Sequence, residues 1–94
     1  SRAGRGRRQR GLMRSQALVR LVEVVARALV DEPDEVQVRK VRGDRHPRIE
    51  LSVAPNDIGK VIGKDGRTAQ SIRVLLNAAA SKESGGRAYL DILD

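Results

Sequence analysis

The segment Val61-Ile62-Gly63-Lys64-Asp65-Gly66-Arg67-Thr68-Ala69-Gln70-Ser71-Ile72 restricts the fold more than any other part of this chain. Two glycines bracket a charged pair, with aliphatic residues ahead and a helical spacing behind. Glycine tolerates the left-handed backbone that ends many helices, so Gly63 is expected to close a short helix. Gly66 is expected to let the chain turn into the next helix with no side chain in the way. The N–H groups of Gly66, Arg67 and Thr68 should then point outward at a helix start, an environment that favours phosphate. Lys64 and Arg67 add positive charge, Lys60 and Arg73 extend it, and Asp65 opposes it while facing solvent. Ile58, Val61, Ile62 and Ile72 are expected to share two tasks, packing the helix pair and lining a narrow apolar groove. Polar groups on a strand edge near Ile49 to Val53 would lie beside that groove.

The rest of the chain supplies partners for this corner. Ser15 can cap a helix running to about Val30, with Leu18, Leu21, Val22, Val25 and Leu29 on one face at three- and four-residue steps. Glu23 and Arg27 have the favourable four-residue spacing on the other side. Asp31-Glu32-Pro33 should end it. Val36 and Val38, with Val41 as a weaker candidate, alternate with polar residues, as do Ile49, Leu51 and Val53, so two half-buried strands are expected. Gly43-Asp44-Arg45-His46-Pro47 reads as the exposed hairpin loop between them. Asn56 or Asp57 starts the short helix. A long helix over about Thr68–Lys82 should bury Ile72, Leu75, Leu76, Ala79 and Ala80. Ser84-Gly85-Gly86 stops it, and Tyr89, Leu90 and Ile92 form a last strand. The order is helix, strand, strand, short helix, turn, long helix, strand. It implies an α+β sandwich of two layers, a three-stranded sheet covered on one face by helices.

Charge divides the chain. Residues 1–14 carry six arginines and no acid, whereas from Ser15 onward thirteen basic residues face twelve acidic ones. Most of the net charge of +7 therefore belongs to a tail. Its Gly, Arg and Gln content predicts disorder over 1–14 and a folded domain over 15–94. The tail can attract phosphate backbones in a salt-dependent way, and an extension that contributes little to function is an equal alternative. With 94 residues and no cysteine, the chain fits one small domain without disulfides or thiolate metal sites. That suits the cytoplasm. No apolar run approaches the roughly 18 residues of a membrane span, and no signal peptide is expected.

The G-x-x-G turn resembles the signature of KH domains, which hold about four nucleotides of single-stranded nucleic acid. From Leu18 to Leu93 the pattern is similar to the bacterial KhpA (YlqC) family. The matching pieces are Leu29–Val36, then Val53-Ala54-Pro55-Asn56-Asp57-Ile58-Gly59-Lys60-Val61-Ile62-Gly63-Lys64-Asp65-Gly66-Arg67, then Ile72-Arg73 with the alanine-rich helix through Ala80, and Asp91–Asp94. The resemblance implies a type II KH domain, in the order α-β-β-α-α-β, that binds single-stranded RNA through Gly63, Lys64, Asp65 and Gly66. It also implies a cytoplasmic protein that pairs with a KhpB (Jag/EloR)-type partner, forms homodimers, and influences cell elongation, division and cell-wall homeostasis. The arginine-rich start departs from the short start usual in that family.

Other readings are weaker. No nucleophile–base pair or metal-ligand cluster is evident, so neither an enzyme nor a cofactor is expected. His46 lacks companion ligands and reads as a loop residue. Asp31, Glu32, Asp34 and Glu35 read as a solvated turn able to meet a basic partner. The required P-loop spacing is absent. Tyr89 is the only aromatic residue among Phe, Trp and Tyr, so stacking of bases on rings is expected to be largely unavailable. A protein-interaction or dimerisation module, or a ribosome-associated RNA chaperone, is the alternative function.

Overall fold

A computed structural model describes the backbone of residues 2–41, 46–84 and 86–94, and the side chains of 16–41, 46–82 and 86–94. Its elements follow the expected order. Helix α1 (Arg2–Leu29) leads through a short 3-10 turn (Pro33–Glu35) to strands β1 (Gln37–Val41) and β2 (Arg48–Ser52). A second 3-10 turn (Pro55–Asp57) opens helix α2 (Ile58–Ile62), and the glycine turn joins it to helix α3 (Arg67–Ser84). Strand β3 (Tyr89–Ile92) ends the fold. Residues 43–45 of the expected hairpin loop lie outside the described residues.

Helical backbone in α1 runs from Arg2, whereas the capping signal pointed to a helix start near Ser15. The costly step in a helix is its first turn. Once the packed part of α1 exists, the Ala, Arg, Gln, Leu and Met residues before it can extend it. Gly4, Gly6 and Gly11 work against that extension, each by about 1 kcal/mol relative to alanine. In the packed part the buried stripe is Leu18, Val22 and Ala26, a set of four-residue steps on one side of the helix. Leu29, expected on that face, keeps 38% of its surface at the last turn. Glu23 and Arg27 meet at 3.5 Å as their spacing predicts.

The sheet order is β1-β2-β3, with β1 antiparallel and β2 parallel to their neighbours β2 and β3. Alternation sorts its two faces. Ile49 and Leu51 of β2 are fully buried toward the helices, with Val38 opposite Leu51 and Leu90 and Ile92 beside them in register. Val41 pairs with Arg48 instead. It therefore lies on the open face, since a two-residue repeat from Val38 puts residue 40 inward. The open face carries Arg39 bonded to Glu50 at 2.8 Å and Arg48 bonded to Asp91 at 2.8 Å.

Helix α3 completes the helical layer with Ala69, Ile72, Leu76 and Ala80 buried. Leu75 departs from expectation at 52% exposed, next to Val74 at 59%. One residue turns a helix by about 100°, so Leu75 sits a quarter-turn from Leu76, outside the buried stripe. Each fully buried Leu, Ile or Val contributes roughly 1.5–3 kcal/mol. Ile49, Leu51, Leu76, Val22 and Val61 thus form the centre on which the glycine turn is mounted.

Candidate nucleic-acid interface

The glycine turn begins where α2 stops after five residues. The Gly63 N–H donates to the Gly59 carbonyl at 2.8 Å, and Gly63 then takes φ 76°, ψ 173°. That region of backbone space is nearly closed to residues with a Cβ. A Cβ there would also meet the Thr68 side chain, with the Thr68 nitrogen only 2.9 Å away. Gly66 has φ +73° and open space around it, so its need for glycine is conformational. Between them Asp65 is left-handed at φ 57°, ψ 26°, a conformation Asp tolerates better than most residues. Lys64, Asp65 and Arg67 are all exposed.

The expected phosphate-facing amides need correction. The Gly66 N–H donates to the Gly63 carbonyl at 3.1 Å, and the Arg67 N–H donates to the Lys64 carbonyl. A 3-10 turn over Lys64–Gly66 therefore satisfies two of the three N–H groups assigned to a ligand. What the turn displays instead is the Lys64 and Arg67 side chains, at the positive end of the 18-residue α3 dipole.

Lys60 and the apolar residues also separate by role. The Lys60 ammonium lies 2.8 Å from Asp31 and 3.1 Å from Asp57. Asp57 is 1% exposed. It accepts from the Asp31 N–H at 3.3 Å and from the Glu32 N–H at 3.0 Å. Its carboxylate thus ties the end of α1 to the start of α2, rather than capping α2 as its position suggested. Burial by itself would raise the Asp57 pKa. The Asp31 N–H, the Lys60 ammonium and the Glu32 N–H together outweigh it, leaving the carboxyl below its ordinary 3.8. Hydrogen bonds to Asp31 and Asp57 hold Lys60 above its ordinary 10.5. Sequence reasoning missed Asp57; the Asp57–Lys60 three-residue spacing was the only local signal. Val61 (0%) and Ile72 (3%) are core residues with no surface for a base. Ile62 keeps 38% of its surface and Ile58 is half-buried.

The strand beside the turn also differs from the expected one. β2 is the central strand, so its edges are occupied, and the edge strand that α3 reaches is β3. The Tyr89 N–H bonds the Pro47 carbonyl and the Leu93 N–H bonds the Leu51 carbonyl, both at 2.9 Å. Alternation then directs the polar groups of Leu90 and Ile92 to the outer side. Arg73 reaches this edge from α3, donating to the Leu90 carbonyl at 3.3 Å.

The family model described as KhpA/KhpB, KH domain, matches residues 19–92. The chain belongs to this KH-domain family. The RNA-binding protein KhpA of Caldanaerobacter subterraneus subsp. tengcongensis is 59% identical over 63 residues, covering 67% of this chain and 84% of the relative. The RNA-binding protein KhpA of Halalkalibacterium halodurans is 53% identical over 74 residues, covering 79% and 96%. Among solved structures, Aquifex aeolicus Era bound to GDP and AlF4- superposes with a TM-score of 0.62 at 21% identity. That match covers 83% of this chain but only 30% of the Era chain, and it concerns the fold alone. The fold is that of a type II KH domain, and among its described residues no helix is long and apolar enough to cross a membrane.

Proposed function

We propose that this KH domain binds single-stranded RNA through the Gly63–Gly66 turn. The observation that carries the reading is the turn itself: two glycines at positive φ hold exposed Lys64 and Asp65 at a helix junction. Relatives named RNA-binding protein KhpA, 59% and 53% identical, support it. Lys64 and Arg67 attract the sugar–phosphate chain, Ile58 and Ile62 offer apolar surface, and Arg73 sits further along α3. Lys60, Val61 and Ile72 act indirectly, by holding the two helices in place. The protein works without catalysis, in the cytoplasm, with a KhpB-type partner, in post-transcriptional control of elongation, division and cell-wall homeostasis. Residues 15–94 form the functional domain, and 1–14 add a sequence-independent attraction to phosphates.

Fluorescence polarisation with labelled oligoribonucleotides at low salt tests this. Changing Lys64→Asp with Asp65→Gly should weaken binding tenfold or more, because an attractive charge at the turn becomes repulsive. The circular dichroism spectrum should stay unchanged, and a chain starting at Ser15 should still bind. Unaltered affinity in the double variant would refute the site.

A second reading is favoured by the exposed Ile62, Val74 and Leu75 on α2 and α3. These suit a dimerisation or protein-interaction surface, which sedimentation of the protein with and without RNA would separate from RNA binding.

A further inference from the structure

The open sheet face carries the chain's only tyrosine and only histidine together with an arginine, although Tyr89 is far in sequence from His46 and Arg48. The Arg48 guanidinium carbon lies 5.3 Å from the centre of the Tyr89 ring. The His46 ring meets the Tyr89 ring edge-on, with centroids 6.1 Å apart. Asp91 fixes Arg48 from the side at 2.8 Å, which leaves the guanidinium plane oriented and 44% of the side chain exposed. A cavity of about 530 Å³ opens here between α3 and β3, with Arg73, Asn77 and Arg87 along its wall. Asn77 shapes it, accepting from the Ala88 N–H at 3.1 Å and donating to the Arg73 carbonyl at 2.9 Å. Among the described residues, three guanidinium groups line the cavity against one carboxylate, and that carboxylate is already engaged by Arg48.

The cavity is also aligned with the glycine turn. Gly66, Gln70, Arg73, Asn77 and Ser81 follow one another at three- and four-residue steps, so they share one side of α3 and its first turn. From Arg67 to Ser81 that stripe spans about 21 Å at 1.5 Å per residue. A strand held at the turn can therefore continue along α3 beside the β3 edge and reach the cavity.

We propose that this cavity is a second RNA subsite, which takes one nucleotide beyond those held at the glycine turn. The base layers onto the Arg48–Tyr89 pair, since both arginine planes and aromatic rings serve as stacking surfaces for unpaired bases. Arg87 and Arg73 take the adjoining phosphate. The proposal rests on the RNA-binding reading above, and adds a base-stacking site that composition alone argued against.

The test uses the full chain with 3-fluorotyrosine at its single tyrosine, and a tetranucleotide and a decanucleotide of uridylate. The decanucleotide should shift the fluorine resonance and the tetranucleotide should not. Tyr89→Leu and Arg87→Ala should each weaken the decanucleotide about fivefold, the scale of one lost stacking or phosphate contact. Both should change tetranucleotide binding less than twofold. Arg39→Ala, which removes a charge elsewhere on the same face, should leave both affinities within twofold. Decanucleotide binding that ignores Tyr89→Leu and Arg87→Ala, with an unmoved resonance, would overturn the subsite while leaving the turn reading intact. Failure of both oligonucleotides to bind the unaltered protein would remove both.

Discussion

Helix α2 joins two opposite solutions for charge within five residues. At its start, Asp57 is buried and its carboxylate is filled by two backbone N–H groups and the Lys60 ammonium. At its end, Lys64, Asp65 and Arg67 stand in solvent around two glycines. The first region is closed because a buried carboxylate without partners would cost far more than it contributes. The second is open: the turn satisfies the Gly66 and Arg67 N–H groups itself, and the Lys64, Asp65 and Arg67 side chains take no part in holding it. Lys60 and Lys64 show that residue type and proximity to the motif do not settle role: one holds the corner together and the other faces outward.

This contrast can be broken at several points. The largest effect is expected from Gly63→Ala, which forces a side chain into a backbone region reserved for glycine and into Thr68. It should destabilise the domain by about 2–4 kcal/mol, lowering the thermal midpoint by at least about 10 °C. A midpoint close to that of the unaltered protein would mean that the turn can relax, and that its shape is not held by this glycine.

Asp57→Asn comes next. It keeps the volume but removes the charge that Lys60 and the two N–H groups surround, so a urea midpoint at neutral pH should fall. Because the folded carboxyl has a depressed pKa, its stabilisation is fully present above the ordinary 3.8 and is lost as pH falls through the lower folded value. Acid titration of stability should therefore be shallower below pH 3.8 in Asp57→Asn than in the unaltered chain. Identical acid profiles would disprove this assignment.

The smallest effect, and the sharpest comparison, comes from Lys60→Ala set against Lys64→Ala. Loss of Lys60 should lower the urea midpoint and change RNA affinity less than twofold. Loss of Lys64 should leave the midpoint alone, weaken RNA about threefold to fivefold, and reduce the salt slope by roughly one unit. Equal affinity losses in the two variants would place Lys60 in the binding surface after all.

Local signals were sufficient for the element order, the positive φ of Gly63, the Glu23–Arg27 pair and most of the core; Gly66 was expected to clear space for the chain, whereas its surroundings are open and its need is a positive φ. Helix periodicity, strand alternation and glycine geometry are imposed by the nearest few residues, so a linear sequence carries them. The family's motif made the candidate turn legible for the same reason. Only the tertiary structure decided which members of that motif have surface to offer: Val61 and Ile72 disappear into the core while Ile62 stays out, and the 3-10 turn uses the Gly66 and Arg67 N–H groups that sequence reasoning had left for phosphate. Only packing brings Asp57 to residues 31 and 32, and Arg48 to Tyr89 and Asp91. Those encounters join residues 25 to 43 positions apart, through the parallel register of β2 with β3 and the return of α2 to the end of α1. Sequence determines what each short segment prefers. Which charges are buried, paired or left to meet a ligand depends on distances that exist only once the segments have packed.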